Sequence, residues 1–542
     1  MSSASNQGHS LDTVPEDVHR LILSELEETS PSAVRNFAGS SKALQDVAQP
    51  FVYRTLVLSP RSEGSKKSTA YRALMAKFSD TSCDVARHVR SIMVQDEVPE
   101  EDLILVLNKI AESGNLRKLN WNTSEHMPPA VLSKLHSTWP DLELSVTVVD
   151  RHDAKLSAHP RQWRMDIPLL SSPLLTQLTY VVYTKGYESQ QPTRSEWPEL
   201  TAALLSGGNI RSLRIQSQQD GSAHYGAQIL ATTGPVRLPR LNLRPGARLE
   251  KLEELNIRAL DDWGDRSYFW DDEHCRALHG AVDPSRLRKL DFGSDNPVPF
   301  FNAFAGVLSN VQSLRFGVRR GSDVEPAKRF IESLTGLESV YVSSPMTGLD
   351  ELWPAIEGHK DTLKSLVLGP TWGEYCRPTY IDRSVLETVA KTFSKLKHLG
   401  WDVPFGTTID PDYLAIISSM NLKKLDMFLH IGDAACDYSS TLQQNPMGTI
   451  PAPPLDKEGS VAAAMKIAEA VSGKKERLEW LTMHITRTGY SDRYQPYMMD
   501  TAFQLRRNEC ATAAGGEKYN VRGKMAWYST HDLSEELLFE EK

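Results

Sequence analysis

One short phrase constrains this chain more than any other feature. It consists of an apolar residue, two variable ones, an apolar residue, one variable residue and a last apolar one. It occurs as LRKLNW at Leu116, LTQLTY at Leu175, IRSLRI at Ile210, LEELNI at Leu252, LRKLDF at Leu287 and VQSLRF at Val311. It returns as LESVYV at Leu337, LKSLVL at Leu363, LKHLGW at Leu396, LKKLDM at Leu422 and LEWLTM at Leu478, with VRSIMV at Val89 and a degraded LELSVTV at Leu142 extending the set. The phrase ends in alternating polarity, the pattern of a short strand buried on one face, and its first apolar residue marks the turn into that strand. A unit this small cannot bury its apolar face alone, so neighbouring units must stack.

Helical signals lie between several copies. YIDRSVLETVAKTFSKL carries a capping-box pair, Ser384 and Glu387, with an apolar stripe of Val385, Val389, Phe393 and Leu396. Asp410 and Pro411 read as the N-cap and first-turn proline of a helix through Ile417. Strand and helix alternating in this way resemble the leucine-rich-repeat family from about Val89 to Met483. The resemblance implies an α/β solenoid with parallel strands on its concave face and helices on its convex face. Successive copies start 24 to 26 residues apart from Leu287 to Leu363 and from Leu396 to Leu422, others lie 33 to 59 apart, and the family's ladder asparagine is missing after most strands. The solenoid expected is therefore irregular, with loop insertions. The competing reading is an ordinary α/β domain in which the phrase is merely how buried strands begin.

The N-terminus has a different character. Val14-Pro15-Glu16 opens a helix with Val18, Leu21, Ile22 and Leu26 on one side, a second helical run carries Val34 and Phe37, and a third ends at Pro50 before Tyr53-Arg54-Thr55-Leu56 enters a strand. Three short helices in this arrangement resemble the F-box family as it occurs in fungal proteins. The matching residues are Val14-Pro15-Glu16, then Leu21, Leu23 and Leu26, then Ser41-Lys42, then Tyr53-Arg54. The chain departs from the family in having Val14 for leucine and Leu44 where many members have tryptophan, and it lacks the acidic-leucine pair after the first helix. The resemblance implies a Skp-type adaptor bound through Val14, Pro15, Val18, Leu21, Ile22 and Leu26, a cullin reached through that adaptor, and a protein substrate held by the repeats. The alternative is a helical cap on the first repeat, within a repeat scaffold that has no ligase association. The expected organisation is an F-box-like segment over 8–58, a linker and helix over 59–84, the solenoid over 85–486, and a C-terminal cap or tail over 487–542.

Composition narrows the function. With 542 residues the chain exceeds what one hydrophobic core usually serves, and 40% hydrophobic residues, 24% charged residues and a net charge of -8 imply no polyelectrolyte partner. The five cysteines are far apart and form no CxxC pair, so neither a disulfide framework nor a zinc cluster is expected. The start shows no leader pattern, and no apolar run is long enough to span a membrane, which places the protein in the cytosol or nucleus. GxSxG, HExxH, GxGxxG and GxxxxGK[ST] are all absent, so no catalytic residue, cofactor or metal is expected.

Three stretches gather reactive or charged residues outside the repeated phrase. DDWGDRSYFWDDEHC, from Asp261 to Cys275, brings acidic residues, His274 and Cys275 together in a way that suits a metal or a basic partner, but reads better as a solvated insertion anchored by Trp263, Phe269 and Trp270. Arg237, Arg240, Arg244, Arg248 and Lys251 suggest a phosphate strip, yet the acidic chain has no nucleic-acid-binding motif. In the tail, Leu533, Leu537, Leu538 and Phe539 can form one helical stripe.

Strand geometry then points to the target. The variable residue between the last two apolar ones of each phrase faces away from the core, which gives the row Asn120, Thr179, Arg214, Asn256, Asp291, Arg315, Tyr341, Val367, Gly400, Asp426 and Thr482. Arg214, Arg315 and Tyr341 are its large members of hot-spot type and are the expected target contacts, with Trp263 and Trp270 next.

Overall fold

The computed structural model describes residues 14–29, 31–60, 66–80, 84–148, 165–185, 196–220, 239–259, 268–318, 324–343, 349–369, 383–404, 411–431, 465, 467–471, 478–490, 496–507, 519–529 and 536–540. The chain divides into two compact units, Met1–Tyr183 with Glu196–Gln216, and Thr184–Ser195 with Ser217–Lys542.

The first unit opens with α1 (Glu16–Thr29), α2 (Pro31–Ala38) and α3 (Lys42–Val52), which enclose Leu23, Val34 and Ala48, with Leu26, Phe37, Val47, Phe51 and Val52 packed around them. The Ser41 hydroxyl caps α3 by accepting the Leu44 N–H at 3.2 Å. Pro50 does not end this helix as expected. Its missing N–H forfeits one i→i−4 bond, yet the helix runs on and closes at Val52 with the Tyr53 N–H donating to Gln49 O.

Strands and helices then alternate: β1 (Thr55–Leu58), α4 (Lys66–Ser79), β2 (Ser91–Gln95), α5 (Glu100–Ser113), β3 (Lys118–Asn122), α6 (Pro129–Thr138), β4 (Glu143–Val148), α7 (Ile167–Leu170), β5 (Leu175–Lys185), α8 (Trp197–Gly207) and β6 (Ser212–Asp220). Strands β1 to β5 pair in parallel, and the Arg211 N–H reaches Thr176 O as β6 begins. The degraded LELSVTV copy is a true strand. A register shift after Leu144 sets Ser145 beside Gln177 and Thr147 beside Thr179, so Thr179 stands two residues beyond the level of Asn120.

The second unit continues with β7 (Glu254–Ala259), α9 (Asp272–Ala281), β8 (Lys289–Asp291), α10 (Val298–Phe304), β9 (Ser313–Gly317), α11 (Val324–Glu332), β10 (Ser339–Ser343), α12 (Leu349–Glu357), β11 (Ser365–Gly369), α13 (Arg383–Thr392), β12 (His398–Pro404), α14 (Pro411–Ser419), β13 (Lys424–Ile431) and β14 (Trp480–Tyr490). These strands are parallel and in register, with Leu290, Leu314, Val340, Leu366, Leu399, Leu425 and Leu481 side by side.

The first half of the repeated phrase now has a physical reading. The carbonyl of its second residue accepts two N–H groups from the next repeat: Arg288 O from Gln312 and Ser313, Gln312 O from Glu338 and Ser339, Glu338 O from Lys364 and Ser365, and Lys364 O from Lys397 and His398. The turn into each strand is thereby tied to its neighbour while the leading apolar residue is buried.

Beneath β8 and β9 lies an aromatic core of Phe292, Phe300, Phe301, Phe304, Phe316 and Phe330, all fully buried. Gly317, at the end of β9, touches the loop after β8 so closely that a Cβ would overlap the Ser294 carbonyl oxygen. Gly317→Ala should cost about 1–3 kcal/mol by overpacking, read as a lower denaturant midpoint; an unchanged midpoint would contradict this packing.

Two local expectations differ from the structure. Helix α13 begins at Arg383, so Ser384 lies inside its first turn instead of capping it, and Glu387 faces Arg383 at 3.3 Å and Lys391 at 3.8 Å. The Asp410 cap lies outside the described residues. Leu533 of the tail lies outside the described residues, and those described form strands in place of the expected helix: β15 (Pro496–Arg507), β16 (Tyr519–Ser529) and β17 (Glu536–Glu540) run antiparallel after β14, and Leu537, Leu538 and Phe539 pair with Met525, Lys524 and Gly523. A three-residue apolar run carries no usable period, and strand pairing decides its conformation.

Candidate protein-interaction surfaces

On α1, Leu23 faces the three-helix core while the opposite side stays open. Leu21 is 71% exposed and Val18 41%, one turn apart on one face, with Pro15 also exposed and Val14 and Ile22 half-buried beside them. Leu26 belongs elsewhere, since it packs onto Leu23, Val34 and Ala48. At the end of α1, Glu27 Oε2 accepts from Arg54 Nη1 at 2.7 Å and fixes the helix to the turn before β1. The sequence-derived adaptor set therefore separates into an exposed pair, Val18 and Leu21, flanked by Val14, Pro15 and Ile22, and one core residue, Leu26.

The expected target row behaves differently in the two units. Arg214 is exposed on β6 of the first unit. In the second unit, Asn256, Asp291, Arg315, Tyr341, Val367, Gly400, Asp426 and Thr482 stand side by side on consecutive strands. The row is not uniformly open: Asn256, Val367, Gly400 and Asp426 are buried, whereas Asp291, Arg315, Tyr341 and Thr482 are half-buried. Arg315 stacks its guanidinium 4.1 Å from the centroid of Tyr341, so the two expected hot spots are neighbours.

Trp263 lies outside the described residues. Trp270 packs inward, with its ring 4.5 Å from Tyr268, 5.5 Å from Phe292 and 5.3 Å from Phe300, and it anchors the aromatic core more than it offers a free face. Trp270 itself is half-buried, and its neighbours His274 and Cys275 are buried. The Leu241 N–H donates to the Tyr268 oxygen at 3.1 Å, and that oxygen shares a hydrogen bond of 2.6 Å with His274 Nε2. Burial, with Arg240 alongside, pushes the His274 imidazole down to about 4, which keeps it neutral, and burial pushes the Cys275 thiol up to about 12. Arg240 of the basic stretch is ion-paired to Asp271, which caps α9. Among the described residues no group of three or more His, Cys, Asp or Glu side chains is placed to hold a metal ion, and no helix is long and apolar enough to cross a membrane.

A further cluster was missed in the sequence. His398 Nε2 lies 2.7 Å from Asp426 Oδ2, its Nδ1 lies 2.8 Å from Ser365 Oγ, and Lys424 Nζ lies 3.2 Å from the same aspartate. Alternation along a strand places the third residue of each phrase on the same face as the fifth, so the pattern already offered this second row. The residue types are those of a serine–histidine–aspartate triad, but the ring nitrogens are exchanged, with Nδ1 towards the serine and Nε2 towards the aspartate. The Ser365 N–H donates to Glu338 O and the His398 N–H to Lys364 O, and the cluster ties β11, β12 and β13 together.

Asp426 also sets an acid limit. Burial alone would raise its carboxyl, but the His398 bond and charge, Lys424 and the adjacent Thr482 outweigh burial and hold it below the ordinary value. A lowered folded-state value contributes stability that is present above the unfolded value of about 3.9 and is lost as pH falls through the folded value. Asp426→Asn should therefore flatten the acid limb of the stability profile below about pH 4; an identical limb in both proteins would contradict this.

No protein-family model matches the sequence, and no curated protein does either. Among solved structures the chain is similar to one in the crystal structure of the Rad7 and Elc1 complex in yeast, at 14% identity and a TM-score of 0.37, over 76% of this chain and 88% of that one. A likeness that slight carries no argument, and the repeat architecture stands on the strand pairing itself.

Proposed function

We propose that this protein is a non-catalytic substrate receptor of a Skp-cullin-F-box type ubiquitin ligase. The helices α1 to α3 hold the adaptor, and the repeats hold the protein target. The observation that carries this reading is the pair Val18 and Leu21, left open on α1 although its other face is fully used in the three-helix core. A helix serving only as a cap would turn its apolar residues inward, whereas an apolar pair left in water marks a place for a partner. The repeats suit the second role because they present in-register side chains on the sheet face away from the buried leucines. Ubiquitin transfer would then occur on other subunits.

Purification of the tagged full chain from its host, followed by detection of a Skp-type adaptor and a cullin in the eluate, tests the assignment. Both should be present. Their absence, with the repeat partner still retained, would favour a repeat scaffold without ligase association.

A further inference from the structure

We infer that the helix-free face of the second unit carries a recognition site for a single carboxylate of the target, received by Arg315. The inference rests on the receptor reading for the identity of the partner, and on the geometry alone for its chemistry.

Arg315 is held in place before any partner arrives. Its guanidinium lies against the Tyr341 ring, 4.1 Å from the centroid, and that ring extends towards the next strand, where a Cβ on Gly369 would collide with the Tyr341 hydroxyl oxygen. Its Nε points at Asp291 Oδ1 but remains 3.9 Å away and makes no hydrogen bond.

Asp291 is occupied elsewhere. Its Oδ1 accepts the Gly293 N–H at 2.9 Å, and its Oδ2 accepts from Asn256 Nδ2 at 3.2 Å and from Arg258 Nη2 at 3.0 Å. Arg258 in turn uses its Nε on Asn256 Oδ1 at 3.0 Å. Among the described residues, the two Nη atoms of Arg315 have no hydrogen-bond partner. The side chain as a whole is 28% exposed. A planar fork that is stacked, half-buried and open along one edge is the arrangement that receives an oxyanion in two parallel hydrogen bonds. Its entropy cost on binding is reduced because stacking already fixes the rotamer.

The charge of the cluster selects among anions. Two guanidiniums and one carboxylate leave a single positive charge around Asn256, which matches the side chain of aspartate or glutamate. A phosphate near its doubly charged state would meet the Asp291 carboxylate with its second charge uncompensated. The expected occupant is thus an extended acidic segment of the target whose carboxylate lies across β8, β9 and β10.

The test uses the full chain and three labelled peptides of alternating residues: glycine with glutamate, glycine with glutamine, and glycine with phosphoserine. Binding is read by fluorescence polarisation near physiological ionic strength, where the general acidity of the chain is screened beyond about 8 Å. The glutamate peptide should bind about tenfold or more tightly than the glutamine peptide, and the phosphoserine peptide no more tightly than the glutamate one. Arg315→Met and Arg315→Lys should each lose that tenfold preference, the lysine because it keeps the charge but not the fork. Asp291→Asn should reverse the order and favour phosphoserine.

Equal binding of the glutamate and glutamine peptides, no binding of any peptide by the wild type, or an unchanged preference in the lysine variant would each overturn the inference. Val18→Glu with Leu21→Glu should leave peptide binding intact. A wild type that binds the glutamate peptide through Arg315 but captures no adaptor indicts the receptor reading, and one that captures the adaptor but shows no preference for the glutamate peptide indicts this site.

Discussion

Replacing Val18 and Leu21 together with glutamate is expected to abolish capture of a Skp-type adaptor while leaving the melting profile of the chain unchanged. Both side chains stand in water on the open face of α1, and neither contributes to the core of Leu23, Val34 and Ala48. Covering one such side chain is worth about 1.5–3 kcal/mol, so the loss of two corresponds to at least a hundredfold in affinity, before the penalty for burying two carboxylates is added. Leu26 is the necessary contrast. It shares the apolar side of the same helix in the sequence, yet it packs inward, so Leu26→Glu should unfold the three helices and lose the adaptor for a different reason. Adaptor titration by calorimetry, alongside thermal melts of both variants, separates the two outcomes.

The second large effect is expected in the aromatic core. Phe301 is fully buried and meets Phe316 edge-on at 5.3 Å and Phe330 at 5.1 Å, with Phe292 at 6.0 Å. Phe301→Ala removes the ring from between two repeats, where each unit depends on its neighbours and the surrounding rings cannot collapse into the space. The expected cost is about 3–5 kcal/mol, read from urea unfolding with hydrogen exchange on β8 to β10 as the local probe. A loss under about 1 kcal/mol would mean that the core closes over the gap, contrary to the packing described.

The strands were legible in the sequence because their signal is local and repeated. Each copy from Leu116 to Leu478 enters a parallel strand, and even LELSVTV does so, since alternation needs only a few residues to register. What escaped depends on contacts between distant residues. The separation of Leu26 from Leu21 is set by where α2 and α3 pack, and nothing within EDVHRLILSELEET decides it. Trp270 reads both as an anchor of its acidic stretch and as a second-choice target contact, and only Phe292 and Phe300, brought in from just after β8 and from α10, favour the anchor. The open edge of Arg315 was legible only as a large residue in a row. Its significance comes from Gly293, Asn256 and Arg258 occupying Asp291 first. Ser365, His398 and Asp426 escaped for a simpler reason: Ser365 and His398 sit in the second row that strand alternation supplies, two positions before the row of Asp426, and only pairing across β11, β12 and β13 joins them.

The central claim is that α1 to α3 form a docking module. Its most direct test is to mix the purified full chain with a purified Skp-type adaptor and measure association by calorimetry and size-exclusion chromatography. The account predicts a one-to-one complex with a Kd of about 1 μM or tighter, lost in the Val18→Glu, Leu21→Glu protein. A folded wild type that shows no association at high adaptor concentration would contradict it and leave the helices as a cap on the repeats.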